Sequence, residues 1–220
     1  MVSTNVGSVT SNHNYYTVED YFSADGHGGL LDRYRKRAVL VNEDFIVGLQ
    51  KGLEKEVDDV APIIMYKCGY QWGLEDMKNF DTRFAQEFEW TTMRKMNTEM
   101  VLETWWWPLQ VAGWGAWGFD FSHKKQGLIF VDLYNSAIAQ SIGNVGKVVC
   151  HFYAGLFAGV FTYLTQKELN GIEIQCYSMG ESYCKFLLGS EKKVNAADFW
   201  VQEGAKAEEI LAKVMETVID

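Results

Sequence analysis

The sequence predicts an α+β domain, a largely antiparallel sheet with helices packed on it. Apolar residues recur at helical spacing through much of the first half of the 220 residues. Strand-like alternation takes over after Gly113 and returns around a turn at Ser178-Met179-Gly180-Glu181. Between these strand regions lies an apolar segment rich in small residues, Val148 to Leu164, and a further helical run closes the chain. Runs of helices and strands in that order fit helices laid on an antiparallel sheet. With 48% hydrophobic residues, a chain of this length suits one domain with a substantial core. Its Ser/Thr/Asn-rich start places a flexible segment over residues 1–20, ahead of a single domain over 21–220.

Taken in order, Thr17 to Phe22 begins a short helix, ended by turn residues from Ala24 to Gly29. Ala38 to Val41 reads as a short strand. Asn42 suits the N-cap of a helix from Asp44 to about Glu56, with Phe45, Leu49 and Leu53 on one face. Asp58-Asp59 starts another helix that tolerates Pro62 in its first turn and runs to Met77. On it, Gly69 and Gly73 share a face that lets another backbone approach closely, and Cys68 is expected as a buried apolar thiol. Asp81 to Phe88 reads as a connecting helix and Asn97 to Gln110 as a helix with Pro108 near its end. Strands follow at Trp114–Phe121 and Gly127–Leu133, then a loop or short helix over Asn135–Gly146. A packed helix is expected over Val148–Lys167, a hairpin over Ile172–Tyr177 and Tyr183–Leu188, and a terminal helix over Ala196–Val218. That last helix should turn Phe199, Ile210, Leu211 and Val214 inward.

Charge and motifs exclude several functions. Twenty basic against 29 acidic residues, a net charge of -9, oppose nucleic-acid binding, which needs a concentrated basic surface. The run Arg33-Tyr34-Arg35-Lys36-Arg37 reads as a solvated turn. Val148–Leu164 is uncharged for 17 residues and carries Gly155-x-x-x-Gly159, a pattern of membrane helices. It is at the lower limit of spanning length and includes Cys150 and His151, so a buried core helix explains it better, and no transmembrane segment is expected. Gly113-Trp-Gly-Ala-Trp-Gly118 matches a dinucleotide fingerprint in form only, because a strand rather than a helix follows it. No serine sits in a Gly-x-Ser-x-Gly elbow and no phosphate loop is present, which leaves hydrolase and NTPase readings unsupported. Four scattered cysteines without a secretory signal point to a reduced cytoplasmic setting, where metal binding is favoured over disulfides.

Three of those cysteines and one glutamate make the sharpest constellation: Cys150, Glu173, Cys176, Cys184. Strands placed symmetrically about Gly180 set Cys176 and Cys184 opposite each other, at the ~5 Å Cβ spacing of cross-strand partners. Two thiolates there can share a metal ion, with Cys150 and Glu173 completing a tetrahedral set of the kind zinc prefers. Glu173 and Cys176 are three residues apart and would face opposite sides of a regular strand, so a bulge is required. A Cys176–Cys184 disulfide and unligated buried thiols are the competing readings. His151, next to Cys150, reads as a structural histidine pointing into core or pocket, and His123 as solvated.

The order Cys150, Glu173-x-x-Cys176, Cys184-x-Phe186 resembles that of the 4-vinyl-reductase-type small-molecule-binding domain. Ile64 to Tyr70, Gly113-Trp114-Gly115, Asn135-Ser136 and Cys150 to Gly155 are similar to it as well, so that the resemblance covers about Arg35 to Leu188. It implies a fold shared with Golgi transport tethering subunits, a structural zinc on the four named residues, and frequent dimerisation. The family's relatives include aromatic-sensing domains of phenol-responsive activators and a protein of bacteriochlorophyll synthesis. The likeness extends to cyanobacterial members associated with photosystem assembly, which implies photosystem assembly proteins as partners and a peripheral place at the thylakoid membrane.

Eight tryptophans are many for this length, and five lie between Trp105 and Trp117. Indoles give flat apolar walls with one N–H donor each, suited to a planar hydrophobic molecule. Trp105, Trp106, Trp114, Trp117, Phe119 and His151 are therefore the candidate ligand-binding residues, with ordinary core packing as the competing reading. Three consecutive tryptophans, Trp105 to Trp107, should leave at least one facing out. The resulting expectation is a non-enzymatic accessory protein that holds a planar ligand, with a tetrapyrrole such as a chlorophyll precursor or bilin as the candidate. Its alternatives are a subunit or enzyme reducing a chlorophyll-precursor vinyl group, and a protein–protein scaffold with no ligand. Vinyl reduction needs a hydride source, for which the sequence shows no site.

Overall fold

The structure, a computed structural model, describes residues 17–87 and 92–216. The expected flexible segment at residues 1–20 lies outside the described residues except for its last four. In chain order the elements are α1 (Val18–Tyr21), β1 (Phe22–Ala24), β2 (Leu30–Asp32), β3 (Arg37–Ala38), α2 (Glu43–Val57), α3 (Ala61–Glu87) and α4 (Thr98–Val111). They continue as β4 (Ala116–Asp120), β5 (Ile129–Tyr134), α5 (Ala137–Ile142), α6 (His151–Thr165), β6 (Asn170–Gln175), β7 (Cys184–Gly189), α7 (Glu191–Gln202) and α8 (Ala207–Glu216). Helices with antiparallel sheets make this an α+β fold. No helix among the described residues is long and apolar enough to cross a membrane.

The described residues gather into two compact units. One holds the residues up to Asn42 together with Asn79–Trp114; the other holds Glu43–Lys78 and Gly115 onward.

In the first unit, the Thr17 hydroxyl caps α1 by accepting from the Asp20 N–H at 3.3 Å. β1, β2 and β3 form a small antiparallel sheet in that order. The Asp25 carboxylate closes the first turn, accepting the His27 and Gly29 N–H groups at 2.8 and 2.7 Å. The strand expected over Ala38–Val41 is cut short. β2 offers pairing partners only to Arg37 and Ala38, and Val39, Leu40 and Val41 lie exposed beyond them. The basic run forms the turn between β2 and β3, with Arg35 in the left-handed region at φ 65°. Asn97 caps α4 through the Met100 N–H at 3.1 Å. Trp105, Trp106 and Trp107 on α4 are all buried, which corrects the expectation that one would face out. α4 is covered on more than one side, so consecutive indoles find packing in different directions. The ring of Trp107 meets that of Tyr21 edge-on at 5.3 Å.

The second unit is built on a four-stranded antiparallel sheet of order β4-β5-β7-β6. Its register puts Trp117 opposite Leu133, Val131 opposite Phe186, and Leu133 opposite Cys184. These side chains face α6, where Phe157 meets Phe186 edge-on at 5.1 Å and stacks with Trp117 at 5.7 Å. Residues of opposite parity, Phe130, Leu187 and Ile172, face α7 and α8. There, Leu128, Phe130, Ile174 and Leu187 pack with Val194, Ala197, Ile210 and Val214. The sheet is thus sandwiched, with α6 on one face and the last two helices on the other.

α3 lies against α6 through reciprocal glycines. A Cβ on Gly69 would meet the Phe152 carbonyl oxygen at 2.0 Å, and one on Gly155 would meet that of Tyr66 at 1.9 Å. One turn further, Gly73 and Gly159 stand equally close to the carbonyl oxygens of Leu156 and Tyr70, at 2.2 Å each. The Gly-x-x-x-Gly pattern therefore serves backbone-to-backbone packing in the interior. Because α3 turns its glycines to α6, Cys68 is left exposed, not buried as expected. α3 is also continuous through the stretch expected to divide into two helices.

Two further expectations are overturned. α2 buries Ile46, Val47 and Gln50 and exposes Phe45 and Leu49. Both sides of this helix carry apolar residues, and its packing on α5 selects the Ile46 side. The terminal helix is two helices, broken at Gly204, whose φ of 75° suits glycine. Ile210 and Val214 are buried, as the periodicity predicts, whereas Phe199 is exposed.

Candidate metal centre

Three elements bring the four predicted ligands together. Cys150 is the residue immediately before α6, Glu173 lies in β6, Cys176 directly follows β6, and Cys184 opens β7. A break in register between Glu173 and Gln175 interrupts the β6–β7 ladder, with Ile174 as the extra residue. Glu173 pairs with Phe186, whose ring faces α6, and Gln175 with Lys185 on the opposite side. The bulge thereby turns Glu173 and Cys176, three residues apart, to the same side. Ile174 is itself buried among the residues facing α7 and α8, which anchors the distortion.

One ligand atom from each of Cys150, Glu173, Cys176 and Cys184 lies within 4.8 Å of every other, and all four residues are buried. The Cys184 sulfur is 3.8 Å from the Cys150 sulfur and 3.8 Å from that of Cys176. A tetrahedron with metal–sulfur bonds of about 2.3 Å has edges of about 3.8 Å. A disulfide needs sulfurs at about 2.05 Å, and the four cysteines are free thiols. The spacing suits coordination, not the Cys176–Cys184 bridge that the sequence left open.

The Glu173 carboxylate is held from one side. Its Oε2 accepts the N–H groups of Cys150 at 2.8 Å and Val149 at 3.1 Å, while its Oε1 is buried without a hydrogen-bond partner. An unpaired buried carboxylate oxygen is costly unless a cation meets it. Burial pushes the Glu173 carboxyl and the Cys150 thiol up, so each resists ionising beside the others. The Cys176 thiol is pushed down by hydrogen bonds from Cys150 and Cys184. Four anions cannot share this volume unaided, and a divalent cation removes the conflict. The orphan oxygen, the sulfur spacing and the donor set all fit a tetrahedral zinc ion with no position left for water.

Two serines missing from the sequence-derived set touch the sulfurs. The Ser136 hydroxyl lies 3.4 Å from the Cys150 sulfur and accepts the Ala139 N–H at 3.2 Å. The Ser178 hydroxyl lies 3.0 Å from the Cys176 sulfur. Ser136 could have been noticed as the N-cap of α5, whereas nothing in the spacing of Ser178 announces its role.

The candidate ligand-binding residues fall in both units. Trp105, Trp106 and Trp114 belong to the first; Trp117, Phe119 and His151 belong to the second. Trp105 and Trp106 contact each other within the buried part of α4, ring centres 5.6 Å apart. In β4, Trp117 meets Phe119 edge-on at 5.8 Å and stacks on Phe157. His151 opens α6, and burial pushes its imidazole pKa down.

Residues 129–190 match the 4-vinyl-reductase domain family. That span contains β5 to β7 and all four candidate metal ligands. An uncharacterised protein of Methanocaldococcus jannaschii is 39% identical over 54 residues, which make up 24% of this chain and 31% of that one. The match thus spans about a third of that relative's length. Among solved structures, the phenol-responsive sensory domain of the transcription activator PoxR, determined with phenol, superposes with a TM-score of 0.60 at 16% identity. The superposition covers 79% of this chain and 91% of that domain, a likeness of fold. Trafficking protein particle complex subunit 3 from Naegleria fowleri, covalently bound to palmitic acid, gives a TM-score of 0.47 at 10% identity, covering 67% and 93% of the two chains. That likeness is too slight to assign the tethering-subunit fold.

Proposed function

We propose that this chain is a small-molecule-binding domain of the 4-vinyl-reductase type, fastened by structural zinc and acting without catalysing a reaction. The closed four-ligand cluster carries the reading. It joins the start of α6 to the β6–β7 hairpin and leaves no coordination position for a substrate. In this role zinc supplies cross-linking of the fold. Fold likeness to a phenol-sensing domain supports an aromatic ligand, and the indole and phenyl faces of Trp105, Trp106, Trp114, Trp117 and Phe119, with His151, are the proposed contacts. A tetrapyrrole and service in photosystem assembly rest on sequence resemblance.

The purified, reduced protein should carry one zinc per chain by mass spectrometry and lose it in Cys176→Ser. Phenol or protoporphyrin should quench its tryptophan fluorescence. A folded wild type without metal would overturn the zinc assignment, and no quenching by either probe would overturn the ligand assignment.

A second reading, protein contact, is favoured by α2. Phe45 and Leu49 are 57% and 48% exposed, and a Cβ on Gly48 or Gly52 would have open space. These four residues form one helical stripe flanked by Asp44 on one end and Lys55 on the other. The stripe suits a second copy of this chain, because an antiparallel two-fold pairing sets Asp44 against Lys55 twice.

A further inference from the structure

We propose that Ser178 is a positioning residue for the metal centre, donating its hydroxyl proton to the Cys176 sulfur and so holding that thiolate against its own charge. The inference rests on the zinc assignment above. Three thiolates and one carboxylate around a divalent ion leave two surplus negative charges in a fully buried site. Water cannot reach them, so protein donors must spread that charge. Glu173 already has two, the N–H groups of Val149 and Cys150. The Cys150 sulfur lies beside the Ser136 hydroxyl, whose oxygen accepts the Ala139 N–H. Cys176 has Ser178, at 3.0 Å and with no exposed surface.

The donor direction follows from the chemistry. A metal-bound thiolate has no proton, so across that contact only the hydroxyl can donate. The backbone holds Ser178 in place for it. The Ser178 carbonyl oxygen accepts both the Val145 N–H at 2.9 Å and the Gly146 N–H at 2.8 Å, tying the chain after α5 to the turn that carries Cys176. Those two bonds need only the backbone, which separates the hydroxyl's role from that of the turn. Removing the hydroxyl should leave the turn tied and the sulfur more negative.

Cobalt(II)-loaded protein tests this, because its thiolate-to-metal charge-transfer band reports on the sulfur itself. In Ser178→Ala the band should move to lower energy, and zinc release to a chelator should quicken at least about tenfold, the usual scale for losing an outer-sphere partner. Ser178→Thr, which keeps the hydroxyl, should retain the wild-type band. An unmoved band with release within twofold of wild type in Ser178→Ala overturns the proposal. If Ser178→Ala fails to load metal, retention by Ser178→Thr supports it and loss in both overturns it. Wild-type protein that takes up neither metal would sink the zinc assignment, and this inference with it, before any variant is read.

Discussion

Glu173 concentrates the chemistry of the site in one side chain. One carboxylate oxygen is spent on two backbone N–H groups and the other is free and buried. Glu173→Gln preserves the shape and an acceptor for those N–H groups but removes the charge. Zinc affinity should fall about 10- to 100-fold in competition with a fluorescent chelator; unchanged affinity would mean that the carboxylate is not a ligand. Tyr66 offers a pH signature away from the metal. Burial pushes its phenol up to about 12, against a bond donated by the Gly171 N–H at 3.2 Å. Below pH 10 both folded and unfolded chains keep this proton. Between about 10 and 12 the unfolded chain releases it while the folded one retains it, so the folded state loses roughly 1 kcal/mol per pH unit. Tyr66→Phe should abolish that part of the alkaline decline, measured by urea unfolding at stepped pH.

The pairing of α3 with α6 shows how much one atom weighs at the level of the element. Gly155→Ala puts a methyl carbon where the Tyr66 carbonyl oxygen already stands, 1.9 Å away, and neither backbone can yield without separating the helices. Overpacking of this kind costs about 3 kcal/mol or more, a fall in Tm of roughly 6–12 °C for a chain of this size. Gly204→Ala is the control. It has open space and only the left-handed φ of 75° to contend with, so it should cost about 1 kcal/mol. Thermal unfolding of the two variants should therefore differ severalfold. Equal shifts would mean that the α3–α6 contact is looser than the carbonyl distances imply.

For the whole molecule, the question is whether the exposed side of α2 works alone or against a copy. Phe45→Glu together with Leu49→Glu should halve the mass measured by light scattering if α2 pairs with its copy, with stability changed by less than about 0.5 kcal/mol, as for other exposed positions. A wild-type chain already monomeric at high micromolar concentration would remove this interface.

What the sequence determined unaided was local or periodic. Capping at Thr17 and Asn97, strand alternation at β5 and β7, and the small-residue stripe of α6 all depend on neighbours within a few positions. The four candidate ligands were legible for a related reason: their spacing demands a bulge, and the bulge is there between Glu173 and Gln175. Tertiary structure decided what periodicity leaves degenerate. α2 has apolar residues on both sides, and only its contact with α5 buries Ile46 while leaving Phe45 in solvent. Three adjacent indoles can all be buried only when a helix is covered from several directions, which no single-helix pattern reveals. Ser178 and Ser136 reach the sulfurs through distant chain, since a hydrogen bond depends on where two backbones meet rather than on spacing along one.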